Sequence, residues 1–129
     1  MTHQEIHDKI KSKFPEAVIE SKVEGASDPF IKINPDSVSE LSAFLRGDGE
    51  LKFDFLMCLS GVDYGKGTLG VVYNLYSMDH RHKLNIKVEI VKDGQDVPSV
   101  SSIWPTADWH EREVFDLIGI KFANHPDLR

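Results

Sequence analysis

Cysteine is nearly absent from this sequence. Cys58 is the only one in 129 residues, and it sits inside the apolar run 53–62. A lone thiol cannot form an internal disulfide, complete a zinc ribbon or hold an iron–sulfur cluster. It makes a reducing compartment the natural expectation. No stretch approaches eighteen consecutive apolar residues, so no membrane-spanning helix and no direct membrane insertion are expected. The polar start Met1-Thr2-His3-Gln4-Glu5 is followed by no apolar stretch and lacks a signal-peptide pattern. Positive charge is scarce: 15 Lys and Arg against 21 Asp and Glu give a net charge of −6. That speaks against a nucleic-acid binder, which needs a basic face to neutralise phosphates. It also speaks against a polybasic membrane-surface protein. Internal repeats, low-complexity tracts and a dinucleotide fingerprint are missing too.

What is present is the composition of one ordinary globular domain spanning 1–129, with 40% hydrophobic and 28% charged residues. Thr2 and Glu5 have capping-box spacing, and Ile6, Ile10 and Phe14 recur at helical intervals, so a short helix is expected before Pro15. Residues 17–23 and 30–33 read as strands with a turn over 25–29 between them. Asn34-Pro35 is a helix start, with Val38, Leu41, Phe44 and Leu45 as its apolar stripe and Gly47-Asp48-Gly49 as its stop. The nearly continuous apolar run 53–62 reads as a central strand buried on both faces. Leu69, Val71, Tyr73 and Leu75 alternate in a second strand. Leu84, Ile86, Val88 and Ile90 alternate with Lys83, Asn85, Lys87 and Glu89 in a third, which Asp93-Gly94 would close. The expectation is an α+β fold: an antiparallel sheet, helices packed on one face, and a C-terminal helix laid on it.

Signals for independent chemistry are incomplete. His110-Glu111 lacks the second histidine of a zinc-protease helix. His80-Arg81-His82 reads as a solvated hairpin tip in preference to a metal site. Gly65-Lys66-Gly67 lacks the Ser or Thr of a phosphate loop and precedes a strand. Cys58 reads as a core thiol, because no basic residue beyond Lys52 lies near it in sequence. Asp63 reads as a turn cap. No catalytic, cofactor-binding or metal residues are assigned.

The informative stretch is 103–129. Thr106 can cap a helix, Asp108 suits its first turn, and Gly119 can end it in a left-handed cap. At helical spacing Ala107, Val114, Leu117 and Ile118 form a core face that also takes in His110 and Glu111. Trp109, Arg112, Glu113 and Asp116 fall on the opposite side. An acid on the core side and a tryptophan on the charged side are two departures from a plain surface helix. Two readings are open. Either Glu111 tilts out or pairs within the fold while Trp109 covers a loop, or the helix is covered on both sides by a partner.

The order Glu111-Arg112-Glu113, Asp116-Leu117-Ile118, His125, Arg129 resembles the signature of the 30-kDa subunit family of respiratory complex I. The surrounding Ala107-Asp108-Trp109-His110 and His125-Pro126-Asp127-Leu128-Arg129 resemble it as well, and residues 59–64 and 71–75 do so more loosely. Asp108 stands where the family often has Asn. The family continues past the position of Arg129, so a trimmed or minimal C-terminus is expected. The resemblance implies a peripheral-arm subunit of a proton-translocating NADH:quinone oxidoreductase. Flavin, iron–sulfur clusters and quinone would sit on partner subunits and none in this chain. The implied partners are the large quinone-cavity subunit and the terminal-cluster subunit, at the cytoplasmic face of a bacterial inner membrane. The implied docking interface comprises Trp109, Glu111, Arg112, Glu113 and Asp116, continued by His125, Asp127 and Arg129. Glu111 is expected to be satisfied by an Arg or His, within the domain or across the interface. The alternative is the equivalent subunit of a membrane-bound hydrogenase-type or other donor-linked proton-pumping complex, which would share the docking role but differ in electron donor and acceptor.

Overall fold

In the computed structural model, residues 2–23 and 29–125 are described. Helix α1 (His3–Lys13) starts at a complete capping box: Thr2 Oγ1 accepts the Glu5 amide and Glu5 Oε1 accepts the Thr2 amide. Ile6, His7 and Ile10 are its buried residues. Strands β1 (Val18–Lys22) and β2 (Phe30–Ile33) follow; most of the turn expected at 25–29 lies outside the described residues. Asn34 caps a single 3-10 turn (Pro35–Ser37) with its side chain, and that turn runs into α2 (Val38–Gly47). Then come β3 (Phe55–Gly65), β4 (Thr68–Tyr76), β5 (Lys83–Val91), β6 (Val97–Pro98), α3 (Ala107–Ile118) and β7 (Phe122–Ala123).

The main sheet has the order β1-β2-β5-β4-β3. Neighbours are antiparallel except for β2 and β5, which run parallel with Ile31 beside Ile86 and Ile33 beside Val88. The α+β expectation therefore holds with a mixed, mostly antiparallel sheet. Asp93-Gly94 turns the chain after β5 without closing the sheet, because β5 is flanked on both sides by β4 and β2. A separate two-stranded parallel pair joins β6 to β7.

One face of the sheet carries the core. Leu69, Val71, Tyr73 and Leu75 of β4 and Leu84, Ile86, Val88 and Ile90 of β5 are all buried there, as their alternation predicts. Val38, Leu41 and Leu45 of α2 pack onto them, and Trp104 is buried in the same cluster, donating from Nε1 to the Phe53 carbonyl at 2.9 Å. The other face is half-polar. Asn74 donates to Asn85 Oδ1, Lys32 pairs with Glu89 at 3.1 Å, and the Lys87 ammonium lies 3.9 Å from the Phe30 ring centre.

Strand β3 is the largest departure from expectation. It stands at the rim of the sheet and is not central. Helix cover reaches only one of its faces, so Phe55 and Met57 remain exposed. An apolar run reports burial of some kind but not how many neighbours a strand has. Cys58 pairs across to Asn74, away from the core, and is half-buried with its Sγ 3.2 Å from Ser60 Oγ, so it is not a core thiol. Conversely, His82 is not part of a solvated tip. It is buried and bonded through Nε2 to the Leu51 carbonyl at 2.6 Å. Asp63 does cap its turn, accepting from the Gly65 amide at 2.9 Å.

Candidate functional site

Helix α3 crosses the core face of β3, and Gly61 is what lets it approach. A Cβ at Gly61 would lie 2.6 Å from Ile118 Cδ1 and 2.9 Å from Val114 Cγ1. Glycine inside a strand commonly marks such a close approach. At its end Gly119 adopts φ 81°, the left-handed cap expected from the sequence. At its start Thr106 is itself helical and makes no side-chain cap bond. The preceding turns already direct the Ala107 amide to the Trp104 carbonyl at 2.8 Å, so a side-chain cap has less to satisfy.

Glu111 is fully buried on the inner side of α3. The Ser99 hydroxyl donates to its Oε1 at 2.6 Å and the Val100 amide donates to its Oε2 at 2.9 Å. Burial pushes the carboxyl pKa up, and these two bonds together with nearby His125 oppose that rise. The expected His is present within the domain as His125, but it is not the direct hydrogen-bond donor. A hydroxyl and a main-chain amide hold the acid directly, while His125 Nε2 stands 3.8 Å from Oε1. The His125 ring is itself buried, 2.9 Å from Asp108 Oδ1, and its Nε2 is 3.1 Å from the Asp108 carbonyl oxygen. Three segments thus meet at one carboxylate: the residues just after β6, the first half of α3 and the stretch after β7. Burial, and to a lesser extent the Glu111 carboxylate, raise the pKa of Tyr73, whose hydroxyl has no partner among the described residues.

The outer side of α3 is unlike the inner one. Trp109 is 62% exposed, and the Arg112 guanidinium lies 5.8 Å from its ring centre, within cation–π range. Arg112 forms no ion pair with Asp108 or Asp116 among the described residues, although both stand four residues away. Glu113 and Asp116 are exposed. Leu117 was expected on the core face and instead is 80% exposed, because α3 leans on β3 through Val114 and Ile118 and turns Leu117 over the sheet rim. The structure thus brings Trp109, Arg112, Glu113 and Asp116 onto the outside of one helix, and places Glu111 and His125 behind it. Asp127 and Arg129 lie outside the described residues. Sequence reasoning missed Ser99, the amide of Val100 and the exposure of Leu117; Gly61 was the available signal for how α3 sits. No group of three or more potential metal ligands occurs among the described residues, and no helix there is long and apolar enough to cross a membrane.

The fold and this helix define an α+β domain with a mixed sheet covered on one face and a C-terminal helix that is anchored behind and open in front. A family model described as respiratory-chain NADH dehydrogenase, 30 Kd subunit, matches residues 31–129, and the chain belongs to that family. It is 46% identical over 128 residues to the C subunit of the NADH-quinone oxidoreductase of Chloroherpeton thalassium, covering 98% of this chain and 53% of that protein. It is 36% identical to the C subunit of the F(420)H(2) dehydrogenase of Methanosarcina mazei, covering 100% of this chain and 81% of that one. The chain therefore spans only about half the length of the first of these relatives. Among solved structures, an Nqo5 trypsin-resistant fragment shares the fold with a TM-score of 0.81 at 24% identity, covering 98% of this chain and all of that one. A chain of the membrane-bound sulfane sulfur reductase, an archaeal respiratory membrane complex, matches with a TM-score of 0.76 at 29% identity, covering 95% of this chain and 71% of that one.

Proposed function

We propose that this chain is a docking subunit of the peripheral arm of a membrane-associated, proton-translocating NADH:quinone oxidoreductase, held to the membrane through its partners. The observation that carries the reading is the two-sided character of α3. Glu111 locks the inner side, and the outer side presents Trp109 beside Arg112, flanked by exposed acids. A fixed helix with an exposed aromatic–arginine pair has the composition of an interface anchor, since Trp and Arg dominate binding hot spots. Charged neighbours such as Glu113 and Asp116 would set register and partner choice. The proposed partners are the large quinone-cavity subunit and the terminal-cluster subunit. The proposed location is the cytoplasmic face of the inner membrane. Flavin, clusters and quinone belong to partners in this reading. With one cysteine, this chain cannot supply the thiolates of a cluster.

A second reading keeps the docking role and changes the electron donor and acceptor. It is supported by the likeness to the F(420)H(2) dehydrogenase protein and to the sulfane sulfur reductase chain. The test is gentle detergent extraction of source membranes with a tag on this chain, followed by mass spectrometry. Co-purification with a flavin-bearing NADH subunit and cluster subunits supports the first reading. Recovery with a nickel-site or other large subunit and no NADH subunit supports the second. Recovery of the chain alone from the soluble fraction overturns both.

A further inference from the structure

Strand β3 ends the sheet, so the outer peptide edge of β3 has no strand beside it among the described residues. Register irregularities at Leu56/Cys58 and at Asp63/Gly65 bracket one regular stretch, Cys58–Asp63. Free edges of this kind are ordinarily guarded by charged side chains, proline, bulges or a covering helix or loop. The stretch Cys58-Leu59-Ser60-Gly61-Val62-Asp63 contains no lysine and no proline; its one charge, Asp63, and the register irregularities stand at its ends and leave 58–62 regular and uncharged. Beside it runs a cleft of about 350 Å³ between β3 and α3, bordered by Val114, Leu117, Ile118, His110 and Glu113. Leu117 reaches over this cleft with 80% of its surface uncovered. Glu113 stands at its margin with no cation paired to it among the described residues, and Asp116 adds a second such acid three residues on. The basic residue of that helix, Arg112, is engaged with Trp109.

We infer that this edge receives an extended segment of a neighbouring subunit. The segment pairs with residues 58–63 as an added strand, lays aliphatic side chains beneath Leu117 and sets a lysine or arginine against Glu113. Main-chain pairing supplies affinity in such additions, and alternate side chains supply selectivity. The inference rests on the docking reading above and adds the chemistry of the partner. It adjoins the Trp109–Arg112 surface through α3, which carries Glu113 and Leu117 at the cleft and Trp109 and Arg112 on the same helix.

The test is amide hydrogen exchange of this chain inside the detergent-extracted complex, compared with the full chain alone. The expected result is at least tenfold slower exchange over 58–63 in the complex, together with slowing over 109–117. Glu113→Lys and, separately, Leu117→Asp should return 58–63 to the rate of the free chain. Both positions are exposed, so the variants should fold, which thermal melting of the free chain checks. If the chain is recovered in a complex and 109–117 slows while 58–63 exchanges as in the free chain, the added strand is wrong and the docking reading stands. If 58–63 slows equally in Glu113→Lys, the basic character assigned to the partner is wrong. If the chain is recovered in no complex, both the docking reading and this inference fall.

Discussion

The Ser99 hydroxyl donates to Glu111 Oε1 at 2.6 Å, joining the residue after β6 to the middle of α3 across twelve residues of chain. The Val100 amide completes the same carboxylate. This pair of bonds fixes the rotation of α3 about its axis, and that rotation decides which side chains face outward.

Glu111→Ala should destabilise the domain by about 2–3 kcal/mol, because a buried amide and hydroxyl lose their acceptor. Glu111→Gln keeps an oxygen for the Val100 amide and can donate to Ser99 Oγ, so it should stay within about 1 kcal/mol of the parent. The pH dependence has a definite sign. The pKa of Glu111 is raised in the fold, so its contribution is fully present below the unfolded value and is lost as pH rises through the folded one. Glu111→Gln should therefore gain on the parent as pH rises from the acid side to neutrality. Urea unfolding at several pH values checks both statements.

His7 is buried against Ser21, with Nδ1 2.7 Å from Ser21 Oγ, and burial lowers its pKa to about 4. A neutral histidine in the fold that charges more readily when unfolded contributes stability above the unfolded value, lost as pH falls through the folded one. The domain should thus lose as much as about 3 kcal/mol from this residue between roughly pH 6.5 and pH 4. His7→Gln should show a shallower acid limb in the same range, measured by chemical unfolding.

Gly61→Ala places a methyl against Ile118 Cδ1 and Val114 Cγ1. Forcing α3 outward should cost about 1–3 kcal/mol. The double variant Gly61→Ala, Ile118→Ala removes the nearest obstruction, so the two changes should be less harmful together than their separate effects add to. A double-mutant cycle by thermal unfolding tests this.

Trp109→Ala removes a largely exposed ring that lies close to Arg112. Its effect on the stability of the free chain should be within about 0.5 kcal/mol. Its effect on recovery of partner subunits should be a loss of about tenfold or more, matching a hot-spot aromatic. Parallel melting and co-purification separate the two effects.

Much of the architecture could be read from local patterns. The Thr2–Glu5 box, the Asn34-Pro35 start, the alternating strands around Tyr73 and Ile86, and the Gly119 cap depend on neighbours within a few residues, and all are present. The helical phase of Glu111 put it on the core side but left open whether it tilts out or pairs within the fold; the structure shows it buried and held by Ser99 and Val100. Ser99 is only twelve residues away, but its position is set by the β6–β7 pairing, through its amide bonded to the Ala123 carbonyl, and not by a local pattern.

The order of residues alone was enough for the elements, the α+β class, the inward and outward positions of most helical residues, and the family. Helical and strand periodicity are properties of the chain's own geometry, and the family signature is a string of residues. Packing in three dimensions was needed to put β3 at the rim, to run β2 parallel to β5, to turn Leu117 out and to turn His82 in. Those outcomes depend on which strands find each other and how closely a helix can lie on them. An apolar run or a histidine in a turn carries no information about a neighbour that the chain reaches only by folding back on itself.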